Sequence, residues 1–145
     1  MRKVLFGAVL TLVAVAILLA ARDNRPSRAW NIPDDAKQLK NPLQPSPEAL
    51  QAARVLYLDN CAQCHGEKGK GDGPEASMYD PLPADLSNKK FNDGLTDGEI
   101  FYQISEGKKP MPAFKKRFTE EQRWQMVLLV RSFANPAPAA APAKK

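Results

Sequence analysis

The order of apolar and polar positions divides the 145-residue chain into four segments, of which the first is an apolar run. Residues 4–21 contain no charged side chain, and a helix over these 18 positions would span roughly 27 Å, close to the thickness of a bilayer core. The run is longer than the apolar part of an ordinary secretory signal, and it ends without a clear small-x-small cleavage site. We therefore expect residues 1–21 to be an uncleaved membrane anchor, with a cleaved signal peptide as the alternative.

Three helices are predicted in the central part of the chain by the residues at their ends. The first begins with Pro47 behind a serine N-cap and runs into the two cysteines. Capping boxes at Thr96–Glu99 and Thr119–Gln122 begin the other two, and Gly107 is a left-handed stop for the second helix. Residues 66–83 are rich in Gly and Pro, which predicts a loop, and no segment alternates convincingly with the period of a strand. The domain is therefore expected to be all-α.

The segments on either side of these helices set the expected domain boundaries. Residues 22–46 contain four prolines and little apolar periodicity, which predicts a stalk or a strap lying on the domain. The sequence shows no packing partner for Trp30 and Ile32 in this segment. Residues 136–145 are mostly Pro and Ala and are expected to be a disordered tail. The globular domain is thus predicted at residues 47–135.

Composition narrows the chemistry that the chain can perform. With one His and two Cys, it cannot supply a multi-histidine copper site or a closed four-ligand zinc site. The net charge of +5 includes Arg2 and Lys3, and residues 22–145 hold 19 basic against 16 acidic side chains, which does not indicate nucleic-acid binding. No pair of carboxylates is positioned for acid and base catalysis, so no catalytic residue is predicted from them.

The three scarce residues fall within five positions, Cys61-Ala62-Gln63-Cys64-His65. This is the attachment pattern of c-type haem, in which two thiols one helical turn apart reach the vinyl groups and the adjacent imidazole ligates the iron. A Cys-x-x-Cys redox pair, a zinc site with an added carboxylate or water, and a strained disulfide are the alternatives. The pattern favours one covalent haem c with His65 as the first axial ligand.

The second axial position must be filled from the remaining soft or basic side chains, or it stays open. Met111 lies between Pro110 and Pro112, which restrict the backbone on both sides of the thioether. Met126 is on an apolar helix face and is expected in the core, whereas Met78 follows His65 too closely to pass around a macrocycle. We predict Met111 as the sixth ligand, with an open site as the alternative.

With this motif and the Met-Pro-Ala-Phe segment, residues 47–134 resemble the class I single-haem cytochrome c family. In that family a small and an aromatic residue lie where the first and last helices cross, and Ala53 and Tyr57 match them. The resemblance also implies that the carbonyl of Pro74 accepts a hydrogen bond from Nδ1 of His65. Ala53 in place of a frequent glycine, and Leu129 where relatives often have an aromatic, depart from the family and put the tightness of that crossing in question.

The resemblance implies a one-electron carrier that acts on no small-molecule substrate. Its haem domain is expected to face the periplasm on a single-pass anchor, or to be soluble there after signal cleavage. A fixed subunit of a larger membrane oxidoreductase is the alternative, and a haem sensor or enzyme would need an open sixth site. We expect redox proteins with acidic patches as partners, because the ten residues 108–117 around Met111 contain five basic side chains and no acidic one. This basic rim consists of Lys108, Lys109, Lys115, Lys116 and Arg117.

Overall fold

The computed structural model describes residues 30–136. In this range the only extended pairing is an isolated antiparallel bridge between Lys108 and Met111. The all-α class is therefore confirmed for the described part of the chain. Its helices, in chain order, are α1 (Asp34–Gln38), α2 (Pro47–Asn60), α3 (Ala62–His65), α4 (Lys89–Asp93), α5 (Asp97–Glu106) and α6 (Glu120–Ala134), and a 3-10 turn covers Ala76–Met78.

The expected anchor and most of the expected tail, residues 137–145, lie outside the described residues. Among residues 30–136, no helix is long and apolar enough to cross a membrane. The anchor at residues 1–21 therefore stays a prediction.

The core forms where α2 crosses α6. Ala53 and Val127 are completely buried, and Tyr57 is buried beside them. Leu129 is also buried, and Phe133, one turn further along α6, brings its ring to 5.0 Å from that of Tyr57. Large apolar side chains and a tilted aromatic pair thus pack the crossing closely. The aromatic contact is provided by Phe133, so the departures from the family pattern do not loosen it.

The predicted helix ends are confirmed. The Thr96 hydroxyl accepts a hydrogen bond of 3.2 Å from the Glu99 amide, and the Glu99 carboxylate accepts one of 2.7 Å from the Thr96 amide. Thr119 and Gln122 form the same reciprocal pair at 3.2 and 2.9 Å. These bonds satisfy amides that the first turn of a helix leaves unpaired, and they fix the starts of α5 and α6.

Residues 30–46 lie on the domain as a strap, which is one of the two predicted arrangements of this segment. Ile32 is buried, and Leu43 packs against the core. The Asn41 amide donates a hydrogen bond of 3.0 Å to the Trp124 carbonyl in α6. The folded unit therefore begins at least as early as residue 30, and the predicted free stalk does not extend to residue 46.

The short helix α1 binds the start of α5 at close range. A Cβ atom at Gly98 would lie 1.9 Å from the Ala36 carbonyl oxygen, so only glycine fits there. The hydroxyl of Thr96, which caps α5, also donates a hydrogen bond of 2.9 Å to the Lys37 carbonyl. One threonine thus joins the helix cap to the strap.

Candidate functional site

The sequence Cys61–His65 forms a short helical turn that continues the end of α2. The Cys61 amide donates to the Tyr57 carbonyl at 2.8 Å, and the His65 amide donates to the Cys61 carbonyl at 2.9 Å. The two cysteines form no disulfide with each other and lie about one helical turn apart. The predicted motif therefore lies on one rigid piece of backbone.

Both thiols have raised pKa values. Burial raises the pKa of Cys61 to about 12, and the charge of Cys64 adds to the shift while Arg117 opposes it. Burial and, to a smaller extent, the Glu75 carboxylate raise the pKa of Cys64, whereas a hydrogen bond with Tyr79 lowers it. Thiols of reactive Cys-x-x-Cys pairs have lowered pKa values instead. This environment disfavours the redox-pair alternative and suits neutral thiols that become thioethers.

The orientation of His65 is set by a carbonyl other than the predicted one. Nδ1 of the imidazole lies 3.1 Å from the Ala84 carbonyl oxygen. An iron-bound imidazole commonly donates its second N–H to such an oxygen, which fixes the ring and strengthens its donation. Pro74 was predicted for this role, but the observed Nδ1 contact is with Ala84.

Backbone hydrogen bonds explain why the carbonyl of Ala84, and not that of Pro74, contacts His65. The Gly73 and Glu75 amides, on either side of Pro74, donate to the Cys64 and Gln63 carbonyls at 3.2 and 2.9 Å and hold this segment along the backbone of α3. The later part of the loop, which contains Ala84, returns toward the histidine, because the Leu86 amide donates to the Gly69 carbonyl at 2.6 Å. The partner therefore comes from 19 residues beyond His65, a contact that the sequence did not indicate.

Two further side chains support the residues that follow the histidine. The buried hydroxyl of Tyr57 donates a hydrogen bond of 2.8 Å to the Gly66 carbonyl, and the Arg54 guanidinium donates to the Glu67 carbonyl. These carbonyls belong to the turn that follows α3, so both side chains hold the segment through which the chain leaves the histidine. The sequence identified Tyr57 as a packing residue but not as a donor to this turn.

Met111 is presented by a tight loop after α5. The Lys108 amide donates to the Met111 carbonyl at 3.0 Å, and the Met111 amide donates back at 2.8 Å. Gly107 ends α5 with φ +61°, and a Cβ atom there would lie 2.5 Å from the Pro112 carbonyl carbon. The Phe114 amide then donates to the Ile104 carbonyl at 3.1 Å and returns the chain to the core. The loop is therefore fixed on both sides of Met111.

The three candidate methionines of the described range have different environments. Met111 is half-buried and packs against the same core cluster as Cys61. Met126 is buried within that core, as predicted, and Met78 is 67% exposed. The structure thus places Met111 and the haem motif on one core, and ligation by Met111 stays a prediction.

The five side chains of the basic rim are exposed around this loop. Lys115 forms an ion pair of 2.9 Å with Glu106, and Arg117 is close enough to Cys61 to favour its thiolate. The rim therefore borders both the methionine loop and the cysteine motif. For the zinc alternative, residues 30–136 contain no group of three or more His, Cys, Asp or Glu side chains placed to hold a metal.

Comparisons with known proteins identify the family. A family model described as cytochrome c oxidase, cbb3-type, subunit III matches residues 48–130, more than half of the chain. The chain belongs to this family. Cytochrome c6 of Cladophora glomerata is 32% identical to it over 74 residues, which are 51% of this chain and 77% of that protein.

Two solved structures resemble this c-type cytochrome. A chain of the Kuenenia stuttgartiensis reducing HAO-like protein complex Kustc0457/Kustc0458 matches with a TM-score of 0.57 and 29% identity, over 79% of this chain and 53% of that chain. The cytochrome thus spans about half the length of that protein. The KustC0563 c-type cytochrome matches with a TM-score of 0.50 and 28% identity, over 56% of this chain and 95% of that chain.

These matches confirm a single-haem class I cytochrome c with covalently bound haem c. The residues of this site fit that group. Cys61 and Cys64 offer two neutral thiols one turn apart, and the Ala84 carbonyl engages Nδ1 of His65, so Nε2 is the nitrogen that would ligate the iron.

Proposed function

We propose that this cytochrome is a one-electron carrier with His65 and Met111 as the axial ligands of its haem. The observation that supports this most directly is the position of Met111, which is held by paired backbone bonds and packs on the same core as Cys61. A methionine that is fixed before the metal arrives keeps its position when the charge of the iron changes. Little reorganisation then accompanies electron transfer.

Each part of the site has a separate task in this function. When bound, the haem would supply a one-electron couple between ferric and ferrous iron. Cys61 and Cys64 would hold the group covalently, and the Ala84 carbonyl orients His65 and would increase its electron donation to the iron. A thioether ligand such as Met111 favours the ferrous state and raises the potential.

Binding of carbon monoxide to the reduced protein tests the ligation. With Met111 on the iron, reduced protein at neutral pH is expected to keep its visible spectrum under carbon monoxide. Rapid formation of a carbon monoxide adduct would show an open sixth site. It would favour a haem sensor or enzyme over an electron carrier.

We further propose that residues 1–21 anchor the protein in the bacterial cytoplasmic membrane, with the haem domain in the periplasm. The support is the uncharged run at residues 4–21, together with the outer-side attachment of haem in the family that the chain resembles. A soluble periplasmic protein after signal cleavage is the alternative. The intact mass of the native protein decides between them, because cleavage removes the segment while covalent haem adds its own mass.

We also propose partners with acidic docking surfaces, and the basic rim is the observation that supports this. Charge steers weak redox encounters and is screened by salt. The rate of electron exchange with an acidic partner is therefore expected to fall as ionic strength rises. A rate that does not change with salt would contradict steering by the rim.

A fixed position in a membrane oxidoreductase is the second candidate function. The matching family is described as an oxidase subunit, and one similar solved structure comes from a redox protein complex. Extraction in mild detergent separates the two candidates. A carrier leaves the membrane as a single chain, whereas a subunit co-purifies with stoichiometric partners.

A further inference from the structure

A buried asparagine lies between the loop that contains Ala84 and the core. Asn92, in α4, is only 1% exposed. Its amide nitrogen donates hydrogen bonds of 3.0 Å to the Leu86 carbonyl and of 2.9 Å to the Val130 carbonyl in α6. Leu86 is two residues beyond Ala84, whose carbonyl contacts His65. Asn92 therefore links the segment that contacts the histidine to α6.

The side chain of Asn92 uses both its donors and its acceptor oxygen in this link. Arg131 donates to its Oδ1 at 2.9 Å, and the same guanidinium pairs with Asp97 at 2.8 Å. The nitrogen faces two carbonyl oxygens, which only accept, so the partners determine the orientation of the amide. A carboxylate there would place an acceptor against two acceptors, and an apolar side chain would bond neither. The position therefore requires a side chain that donates on one side and accepts on the other.

The link attaches both partners of the histidine hydrogen bond to the same helix crossing. His65 belongs to α3, which continues α2, and α2 crosses α6 in the core. The Ala84 segment reaches α6 through the Asn92 amide and the Val130 carbonyl. The imidazole and the carbonyl that it contacts are thus positioned from the two sides of one packed interface.

The peptide groups of Leu86 are held on both sides. Its amide donates to the Gly69 carbonyl at 2.6 Å, its carbonyl accepts from Asn92, and its side chain packs against the core. Two residues earlier, the Ala84 carbonyl oxygen lies 3.1 Å from Nδ1 of His65. A displacement of about 0.5 Å would lengthen this distance to about 3.6 Å, where a hydrogen bond no longer forms. The contact with the histidine therefore depends on a closely fixed loop.

We propose that Asn92 is a positioning residue for the axial histidine. Its amide holds the Leu86 carbonyl and thereby keeps the Ala84 carbonyl within hydrogen-bond distance of Nδ1. This role rests on the proposed ligation of the iron by His65, whose donor strength depends on that contact. Without the amide, the half-buried Leu86 carbonyl loses its hydrogen bond, and the loop moves to pair this carbonyl with water.

Asn92→Ala in the holoprotein tests this role, with Asn41→Ala as the matched control. The Asn41 amide also donates to a carbonyl of α6, that of Trp124 at 3.0 Å, and its Oδ1 accepts from the Leu43 amide at 2.9 Å. It lies in the strap, outside the loop that contains Ala84. Both variants should unfold at a lower denaturant concentration than the wild type, because each loses hydrogen bonds that stabilise the fold.

Two measurements separate positioning from stability. Exchange of the Nδ1 proton of His65 with solvent, followed by NMR in the ferrous protein, should be about tenfold faster in Asn92→Ala, because the loop opens more readily. The one-electron reduction equilibrium, measured by protein-film voltammetry, should shift about threefold toward ferrous iron in the same variant, because the imidazole becomes a poorer donor. Both values should stay at the wild-type level in Asn41→Ala.

Asn92→Ser is a milder variant that keeps the test decisive. Its hydroxyl can replace one of the two donor bonds, so both effects should be present but smaller than in Asn92→Ala. Wild-type values in a folded Asn92 variant, or equal shifts in Asn41→Ala, would overturn the positioning role. Failure of both Asn92 variants to retain haem would assign the residue to the stability of the domain alone and would overturn the role as well.

Ring-current shifts in the same NMR spectra distinguish this role from the proposed function. In the ferrous wild type, a porphyrin strongly shifts the ring protons of an imidazole that is bound to its iron. His65 protons without such a shift would contradict ligation by His65. Shifted His65 protons together with unchanged Nδ1 exchange in Asn92→Ala would contradict the positioning role alone.

Discussion

The two sides of the haem site are built in different ways. The Cys61–His65 turn continues a long helix, and the orientation of its histidine depends on the Ala84 carbonyl from a distant part of the chain. The Met111 loop is local, since its main contacts join residues 104–115 to one another. One ligand is therefore positioned by long-range folding and the other by a short loop that follows a helix end.

This difference predicts how each side responds to substitution. A change in the methionine loop should affect that ligand and leave the histidine side intact. A change in the loop that contains Ala84 should alter the donor strength of His65 without removing the ligand. Substitutions that separate these outcomes test the comparison.

The largest effect is expected for Gly107→Ala. Its φ of +61° is unfavourable for alanine, and the new Cβ would lie 2.5 Å from the Pro112 carbonyl carbon. The loop must shift, so we expect loss of methionine ligation and a decrease of about 2–4 kcal/mol in the free energy of unfolding. The oxidised absorption spectrum and chemical denaturation measure the two effects.

Gly94→Ala is the matched control for this substitution. Gly94 also follows a helix, but its φ is −73° and a Cβ atom there would lie 3.2 Å from the Lys90 carbonyl oxygen. We expect a change within about 1 kcal/mol and an unaltered spectrum. Equal effects of the two substitutions would show that Gly107 has no special role at the methionine loop.

The second largest effect is expected for Gly71→Ala, on the histidine side of the site. A Cβ atom at Gly71 would lie 2.6 Å from the Pro83 carbonyl oxygen and would push the Ala84 segment away from His65. Weaker hydrogen bonding at Nδ1 makes the imidazole a poorer donor and destabilises ferric iron. The reduction potential should therefore rise, on the order of tens of millivolts, while the methionine stays bound.

Pro74→Ala is the control for the potential. Because the Pro74 carbonyl does not provide the observed Nδ1 contact, we expect a potential equal to that of the wild type in protein-film voltammetry. A shift in Pro74→Ala as large as that in Gly71→Ala would restore Pro74 as the partner of the histidine.

The smallest effect is expected for Tyr57→Phe. It removes the hydrogen bond to the Gly66 carbonyl but keeps the aromatic packing against Phe133. We expect the free energy of unfolding to fall by about 1–2 kcal/mol, with no spectral change. Tyr102→Phe, at a half-buried tyrosine in α5, should change stability little. A comparable loss in both variants would mean that the Gly66 bond contributes nothing particular.

Local patterns account for most of what the sequence predicted correctly. The capping boxes at Thr96 and Thr119, the stop at Gly107 and the haem motif each involve residues within a few positions of one another. Such patterns predict the structure correctly because the residues that interact are already neighbours along the chain. The core role of Met126 followed in the same way from helical periodicity.

Contacts between distant residues explain what the sequence could not provide. Every residue type has a backbone carbonyl, so nothing in the sequence marks that of Ala84 as the partner of His65. The docking of the strap depends on the absence of a side chain at Gly98 and on the backbone of Ala36, and neither has a pattern that the sequence makes visible. Backbone acceptors and close approaches emerge only when the loops are placed in space.

The central claim, that Met111 completes the coordination of the haem, is tested most directly by the oxidised absorption spectra of Met111→Ala and Met78→Ala. Met78 is 67% exposed and is the matched methionine outside the core. We predict that the wild type and Met78→Ala share the charge-transfer band of methionine bound to ferric iron, and that Met111→Ala lacks it. A band that persists in Met111→Ala, or that disappears in Met78→Ala, would contradict the claim.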